Sequence, residues 1–226
     1  MSEARWSPWH ASAMLLALGL AIGVGRAAPL AFTCAASLAG WVWLSRAEFD
    51  DVRAFGAANV VTSARVLLIA GLGITIDARA ALACALCSLG IFTLDGVDGW
   101  LARRSGHASA FGARYDMETD ACFVLILSVG SFQFGRAGAW VLLAGALRYL
   151  YVLTLWALRR EQAEAPRSRI GRYGFALVVV TFTIGIWPAV GASHALAAVS
   201  TFLLTYSFGR SFYWSLHVSR TLNAPR

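Results

Sequence analysis

The sequence predicts an all-α integral membrane protein, and three observations carry that prediction. Of its 226 residues, 58% are hydrophobic and 14% charged, with a mean hydropathy of +0.63. Apolar runs of 15 or more residues recur along the chain, each the right length for a membrane helix. The polar stretches between them are short, so no soluble domain fits between the spans.

Residues 1–44 predict one or more N-terminal membrane segments. Ala13 to Gly25 is a short apolar run, Arg26-Ala-Ala-Pro29 interrupts it, and Pro29 to Leu44 is apolar again. Arg5 ahead of a short apolar core also fits a cleaved leader. The second run follows at once, however, so an uncleaved hairpin or two short spans is the expectation. Residues 45–58 carry Arg46, Glu48, Asp50, Asp51 and Arg53 among Phe49 and Phe55, with Trp41 and Trp43 just before them. That pattern predicts an amphipathic helix lying in the membrane interface. Six further spans are expected within residues 59–216: Asn59–Thr75, Ala80–Ala102, Asp116–Phe134, Ala137–Leu158, Tyr173–Trp187 and His194–Trp214. Residues 217–226 complete the chain as a tail.

The net charge is +7, and all 19 basic residues are Arg. A GC-rich genome accounts for that usage, while guanidinium also suits phosphate and anionic lipid. The arginines fall in membrane connections, which excludes a nucleic-acid module. Arg46, Arg53, Arg103, Arg104, Arg114, Arg159, Arg160, Arg167, Arg169 and Arg172 fall on one side of the core, against Arg79 and Arg136 on the other. The positive-inside rule places the first side in the cytoplasm. Cys34, Cys84, Cys87 and Cys122 lie in apolar runs and read as packing residues, with no disulfide framework.

The chemistry concentrates between Asp95 and Asp120, which hold five of the twelve carboxylates: Asp95, Asp98, Asp116, Glu118 and Asp120. Carboxylates at a membrane helix end cost about 2.5–3.5 kcal/mol each at mid-bilayer unless a partner compensates them. Asp95 and Asp98 share a helix face at i, i+3, with Gly99 and Ala102 leaving a shallow floor beside them. Asp116 and Asp120 share the next helix at i, i+4. The Gly- and Ser-containing segment Ser105–Gly112 reads as a turn that lays the two helices side by side. Four oxygen donors suit Mg2+ or Mn2+ rather than Zn2+, and two such ions would clamp a phosphoryl group. Glu118 lies off the face of its neighbours and is expected to be a solvated bystander. His107 reads as an exposed, inert loop residue, and Arg104 and Arg114 as juxtamembrane charges.

The pattern D-x2-D-G-x2-A-R-x8-G-x3-D-x3-D, formed by Asp95, Asp98, Gly99, Ala102, Arg103, Gly112, Asp116 and Asp120, resembles the signature of the CDP-alcohol phosphatidyltransferases at every fixed position. The resemblance implies a six-transmembrane-helix core facing the cytoplasm of the inner membrane. Here an apolar hairpin or extra spans precede that core. It also implies a reaction: an acceptor alcohol attacks the lipid-linked phosphorus of a CDP-alcohol such as CDP-diacylglycerol, and CMP leaves. By resemblance, Asp95, Asp98 and Asp116 hold the metals. Asp120 serves as general base and also touches a metal. Gly99 and Ala102 make room for the nucleotide, Arg103 contacts the CDP moiety, Ser109 adds a hydroxyl contact, and Gly112 permits close helix approach. Asn59, Thr62 and Arg65 form an Asn-x2-Thr-x2-Arg opening similar to one that approaches the CDP-lipid in this family. Asn59 also reads as a plain N-cap. Family members often dimerise, so a homodimer is among the implied partners.

For the acceptor, Arg148 is a charge inside a span and thus a functional candidate. With Arg169 and Arg172 it would favour an anionic acceptor, such as a polyol phosphate, over a plain small alcohol. Tyr149 departs from the glycerol-phosphate branch, where Glu follows the Arg. The loop arginines equally suit anionic lipid. The alternative within the class is an aminoalcohol phosphotransferase with a lipid acceptor. An Asp-rich prenyltransferase would want adjacent acidic pairs, and Gly96 occupies that position. A transporter with an acidic cation site would want its acids at mid-membrane.

Overall fold

The structure, a computed structural model, describes residues 3–46, 52–105, 109–160, 169–187, 191 and 193–222. Side chains within helices are further described except at 3–5, 52–54, 98, 102, 103, 105, 169–174, 193 and 216–222. Every regular element among the described residues is an α-helix. In chain order these are α1 Glu3–Val24, α2 Ala28–Ser45, α3 Val52–Asp77, α4 Ala81–Ser105, α5 Ala110–Gln133, α6 Val141–Ala157, α7 Arg169–Ile186 and α8 Ser193–Leu222. Four are long and apolar enough to cross a membrane: Trp6–Val24, Ala28–Ser45, Phe55–Asp77 and Ala81–Leu101. Val141–Ala157 and Phe175–Ile186 are shorter apolar helices. Large apolar side chains such as Leu67, Leu86, Leu89, Leu143 and Phe202 project outward. This is the surface that a multi-pass protein turns toward lipid.

Helix α5 runs through the middle of the bundle. Every residue from Cys122 to Ser131 is buried. It packs on α2, α3, α6 and α7, while α3 contacts α2 and α4, and α1 contacts α2 and α6. The N-terminal hairpin is therefore wrapped onto the core. Its turn is fastened by Asp77 at the end of α3, whose carboxylate accepts from the amides of Ala27 (2.5 Å) and Ala28 (3.1 Å) at the start of α2. A carboxylate satisfies the free donors of a helix N-terminus and complements its dipole. Arg26 in that turn joins Arg79 and Arg136 on the side opposite the acidic motif.

Several boundaries differ from the sequence expectation. Helix α3 begins at Val52, well before Asn59, and breaks at Gly56, whose φ of 78° and ψ of 151° only glycine adopts without strain. Of the expected interfacial helix, 47–51 lie outside the described residues and 52 onward belongs to α3. Helix α5 starts at Ala110 rather than Asp116, because Ser109 caps it: Ser109 Oγ accepts from the amide of Gly112 at 3.0 Å. The expected turn therefore ends before Gly112. Helix α8 runs on to Leu222, past the expected start of the tail.

A carboxylate cluster around a buried arginine

Helices α4 and α5 do not converge by lying along one another; both pack along α3. The residue that joins them is Arg65 of α3, wholly buried. Its Nη1 lies 3.0 Å from Asp95 Oδ1 of α4 and 2.6 Å from Asp116 Oδ1 of α5, and its Nη2 donates to Asp120 Oδ1. The three carboxylates are partly open, at 27%, 41% and 20% side-chain exposure. The guanidinium thus closes the floor of the cluster and leaves its mouth accessible. Planar, multi-donor geometry suits Arg to this task and would not suit Lys.

One oxygen from each of Asp95, Asp116 and Asp120 lies within 4.8 Å of the others. Three hard oxygen donors so spaced fit a divalent cation such as Mg2+ or Mn2+. One guanidinium faces three carboxylates, and a cation at their open side would offset further negative charge. The side chain of Asp98, expected as a further ligand, lies outside the described residues, as do those of Ala102 and Arg103.

Other predicted site residues fall around this centre. Asn59 is buried, but it is not an N-cap: its side-chain amide donates to Phe55 O at 2.6 Å, bridging the break at Gly56. Thr62 is buried one turn before Arg65, its hydroxyl donating to Ala58 O at 3.1 Å. A Cβ on Gly112 would stand 2.8 Å from Asn59 Oδ1 of α3 and 3.1 Å from the capping Ser109 Oγ, so a larger residue there would displace the Asn59 side chain. Gly99 is half-buried on α4. Arg169 lies in the first turn of α7 and Arg172 further along it, with side chains outside the described residues.

Glu118 corrects the expectation of a solvated bystander. It is buried on the opposite face of α5, where Arg148 Nη2 of α6 donates to its Oε1 at 2.6 Å. A carboxylate inside a membrane bundle must find a cation, so the acid that misses the cluster pairs elsewhere. Arg65 is the central residue that spacing undervalued: it stood only as the last letter of the Asn-x2-Thr-x2-Arg opening. The usable signal was a lone arginine within an apolar run, which needs buried acids as partners.

A polytopic helical bundle with a carboxylate cluster at one end fits a membrane enzyme or carrier, and comparison with known proteins settles the family. A family model described as CDP-alcohol phosphatidyltransferase matches residues 55–207. A curated relative, the CDP-diacylglycerol–serine O-phosphatidyltransferase of Encephalitozoon cuniculi (strain GB-M1), is 27% identical over 178 residues, 73% of this chain. The chain spans 44% of that relative's length. No solved structure matches. The chain belongs to the CDP-alcohol phosphatidyltransferase family.

Proposed function

We propose that the protein transfers a phosphatidyl group from CDP-diacylglycerol to a small alcohol, releasing CMP, with its site open to the cytoplasm. The observation that carries this reading is the convergence of Asp95, Asp116 and Asp120 on Arg65 at the arginine-rich end of the bundle. The acceptor hydroxyl oxygen forms a bond to the lipid-linked phosphorus, the phosphorus–oxygen bond to CMP breaks, and the hydroxyl proton passes to a carboxylate. Asp120 takes that proton: Arg65 holds one of its oxygens, orients the group and leaves the other for the acceptor. Asp95, Asp98 and Asp116 would hold the divalent ions. When bound, those ions would neutralise the diphosphate and the charge that develops on it. By the family resemblance, Gly99, Ala102 and Gly112 would leave room for the nucleotide, and Arg103, Asn59, Thr62 and Ser109 would contact the CDP-lipid.

The acceptor class follows from Arg148. Its charge is already met by Glu118, which favours a neutral or zwitterionic alcohol over a phosphorylated polyol. The serine named for the curated relative is such an alcohol. Arg169 and Arg172 would then serve anionic lipid rather than the acceptor. The test is CMP release from radiolabelled CDP-diacylglycerol by detergent-solubilised protein, with serine, glycerol 3-phosphate or inositol phosphate, with and without Mg2+ or Mn2+. Metal-dependent release with serine supports the reading. Release independent of metal, or none with any acceptor, overturns it, and a preference for a phosphorylated acceptor reverses the assignment of Arg148.

A further inference from the structure

Helices α1 and α2 lie outside the region that matches the family, yet α1 sends a buried histidine to the helix that carries Asp116 and Asp120. His10 is 2% exposed. Its Nδ1 is 2.7 Å from Ser37 Oγ of α2, which fixes the ring. Its Nε2 faces α5, 4.0 Å from Glu118 Oε2, beyond hydrogen-bond length, and 4.0 Å from Cys122 Sγ. The other oxygen of Glu118 is taken by Arg148 at 2.6 Å, and Tyr149 donates its hydroxyl to Cys122 Sγ at 3.3 Å. Trp6 stacks on His10 with centroids 4.5 Å apart and on Trp41 at 4.2 Å, and Trp41 meets Phe111 in the first turn of α5 at 4.9 Å.

We propose that the N-terminal hairpin is a working part of the catalytic unit and that His10 is a positioning residue: with Arg148 it clamps Glu118 and sets the rotation at which α5 presents Asp116 and Asp120. This rests on reading the aspartates as the phosphatidyl-transfer site. Glu118 stands two residues from each aspartate, which on an α-helix is roughly 200° of rotation, so it faces the opposite way. α5 is thereby held on two faces, by Arg65 on one and by Arg148 with His10 on the other. A turn of α5 that loosened one grip would strain the other. The hairpin cannot slide to follow such a turn, because Asp77 pins its far end to α3. In lipid no hydrophobic force resists helix rotation as it does in water, so polar contacts of this kind set register.

The test uses the full chain in nanodiscs and two readouts: steady-state transfer, and the rise in melting temperature on adding Mn2+. His10→Phe keeps volume and stacking but loses the polar contacts. The expected result is that kcat falls and the Mn2+ concentration at half effect rises in both readouts, each by about tenfold. KM for CDP-diacylglycerol stays within about twofold. His10→Gln, which keeps a donor for Ser37, recovers most of the loss. An unchanged kcat and Mn2+ midpoint, or a loss of activity matched by loss of folded protein, overturns the proposal. If His10→Phe does not accumulate, Ser37→Ala decides by the same Mn2+ midpoint, where no shift overturns it. If the wild-type protein transfers nothing to any acceptor, the functional reading fails, while the Mn2+ melting shift still decides whether the hairpin positions the carboxylates.

Discussion

At the scale of single residues, Arg65 is the most consequential side chain in the bundle. It is buried and shared by three carboxylates from two helices. Removing one partner from such a group leaves like charges facing one another. Arg65→Met is therefore expected to cost about 3 kcal/mol of metal-free stability, the lower end for a buried pair because the acids retain solvent access. Added Mg2+ should restore part of that loss, so the checking measurement is thermal unfolding in detergent with and without Mg2+; a mutant that unfolds like wild type in both would refute the role. Asp98→Asn tests the ligand set from the other direction, and transfer activity retained after that change would remove Asp98 from it. Asp120→Asn should stop turnover while CDP-diacylglycerol still binds; equal loss of both would make it a ligand rather than a base. That Asp116 and Asp120 share a face was legible from their helical spacing, whereas Asp95 meets them across α3 rather than along a shared α4–α5 face. Arg65 was not legible, since nothing in local spacing says which helix lies between two others.

At the scale of the helix, α4 and α5 share the motif, and Gly112 and Gly145 lie where α5 meets α3 and α6. A Cβ on Gly145 of α6 would stand 2.5 Å from Leu125 Cα and 2.6 Å from Ser128 Oγ. Backbone cannot yield as a flexible side chain does, so Gly145→Ala must push α6 from α5. The expected cost is about 1–3 kcal/mol, read as a lowered unfolding temperature. Gly71→Ala on α3, with nothing within 4 Å of the added carbon, serves as the comparison and should be near neutral. The existence of each helix was readable from apolar run length, and the starts of α3 and α5 were not. Gly56 is a kink between two helical stretches, and Ser109, in the segment expected to be a turn, caps the start of α5. Which faces pair was also hidden. A membrane helix is apolar all round, so periodicity fades and only polar residues such as His10, Glu118 and Arg148 mark an inward face.

At the scale of the whole molecule, α2 and α4 each carry a tryptophan near the motif-side end, Trp43 and Trp100. The two sit there as interface anchors, with the guanidinium of Arg46 3.8 Å from the first ring's centroid and that of Arg104 5.0 Å from the second. The opposite turns carry only Arg26, Arg79 and Arg136 among the described residues. That asymmetry predicts a cytoplasmic motif, where a water-soluble nucleotide product can leave. Leu158 and Ala139 are exposed at the two opposite ends of α6. The native cysteines are buried or half-buried within the helices, so they can stay as a silent background. With a membrane-impermeant maleimide on intact cells, Ala139→Cys should label from outside and Leu158→Cys only after permeabilisation. The reverse pattern would put the carboxylates outside the cell, away from any supply of a cytidine nucleotide. It would overturn the orientation and the proposed donor together, because the arginine bias and the chemistry of the cluster depend on the same side of the membrane.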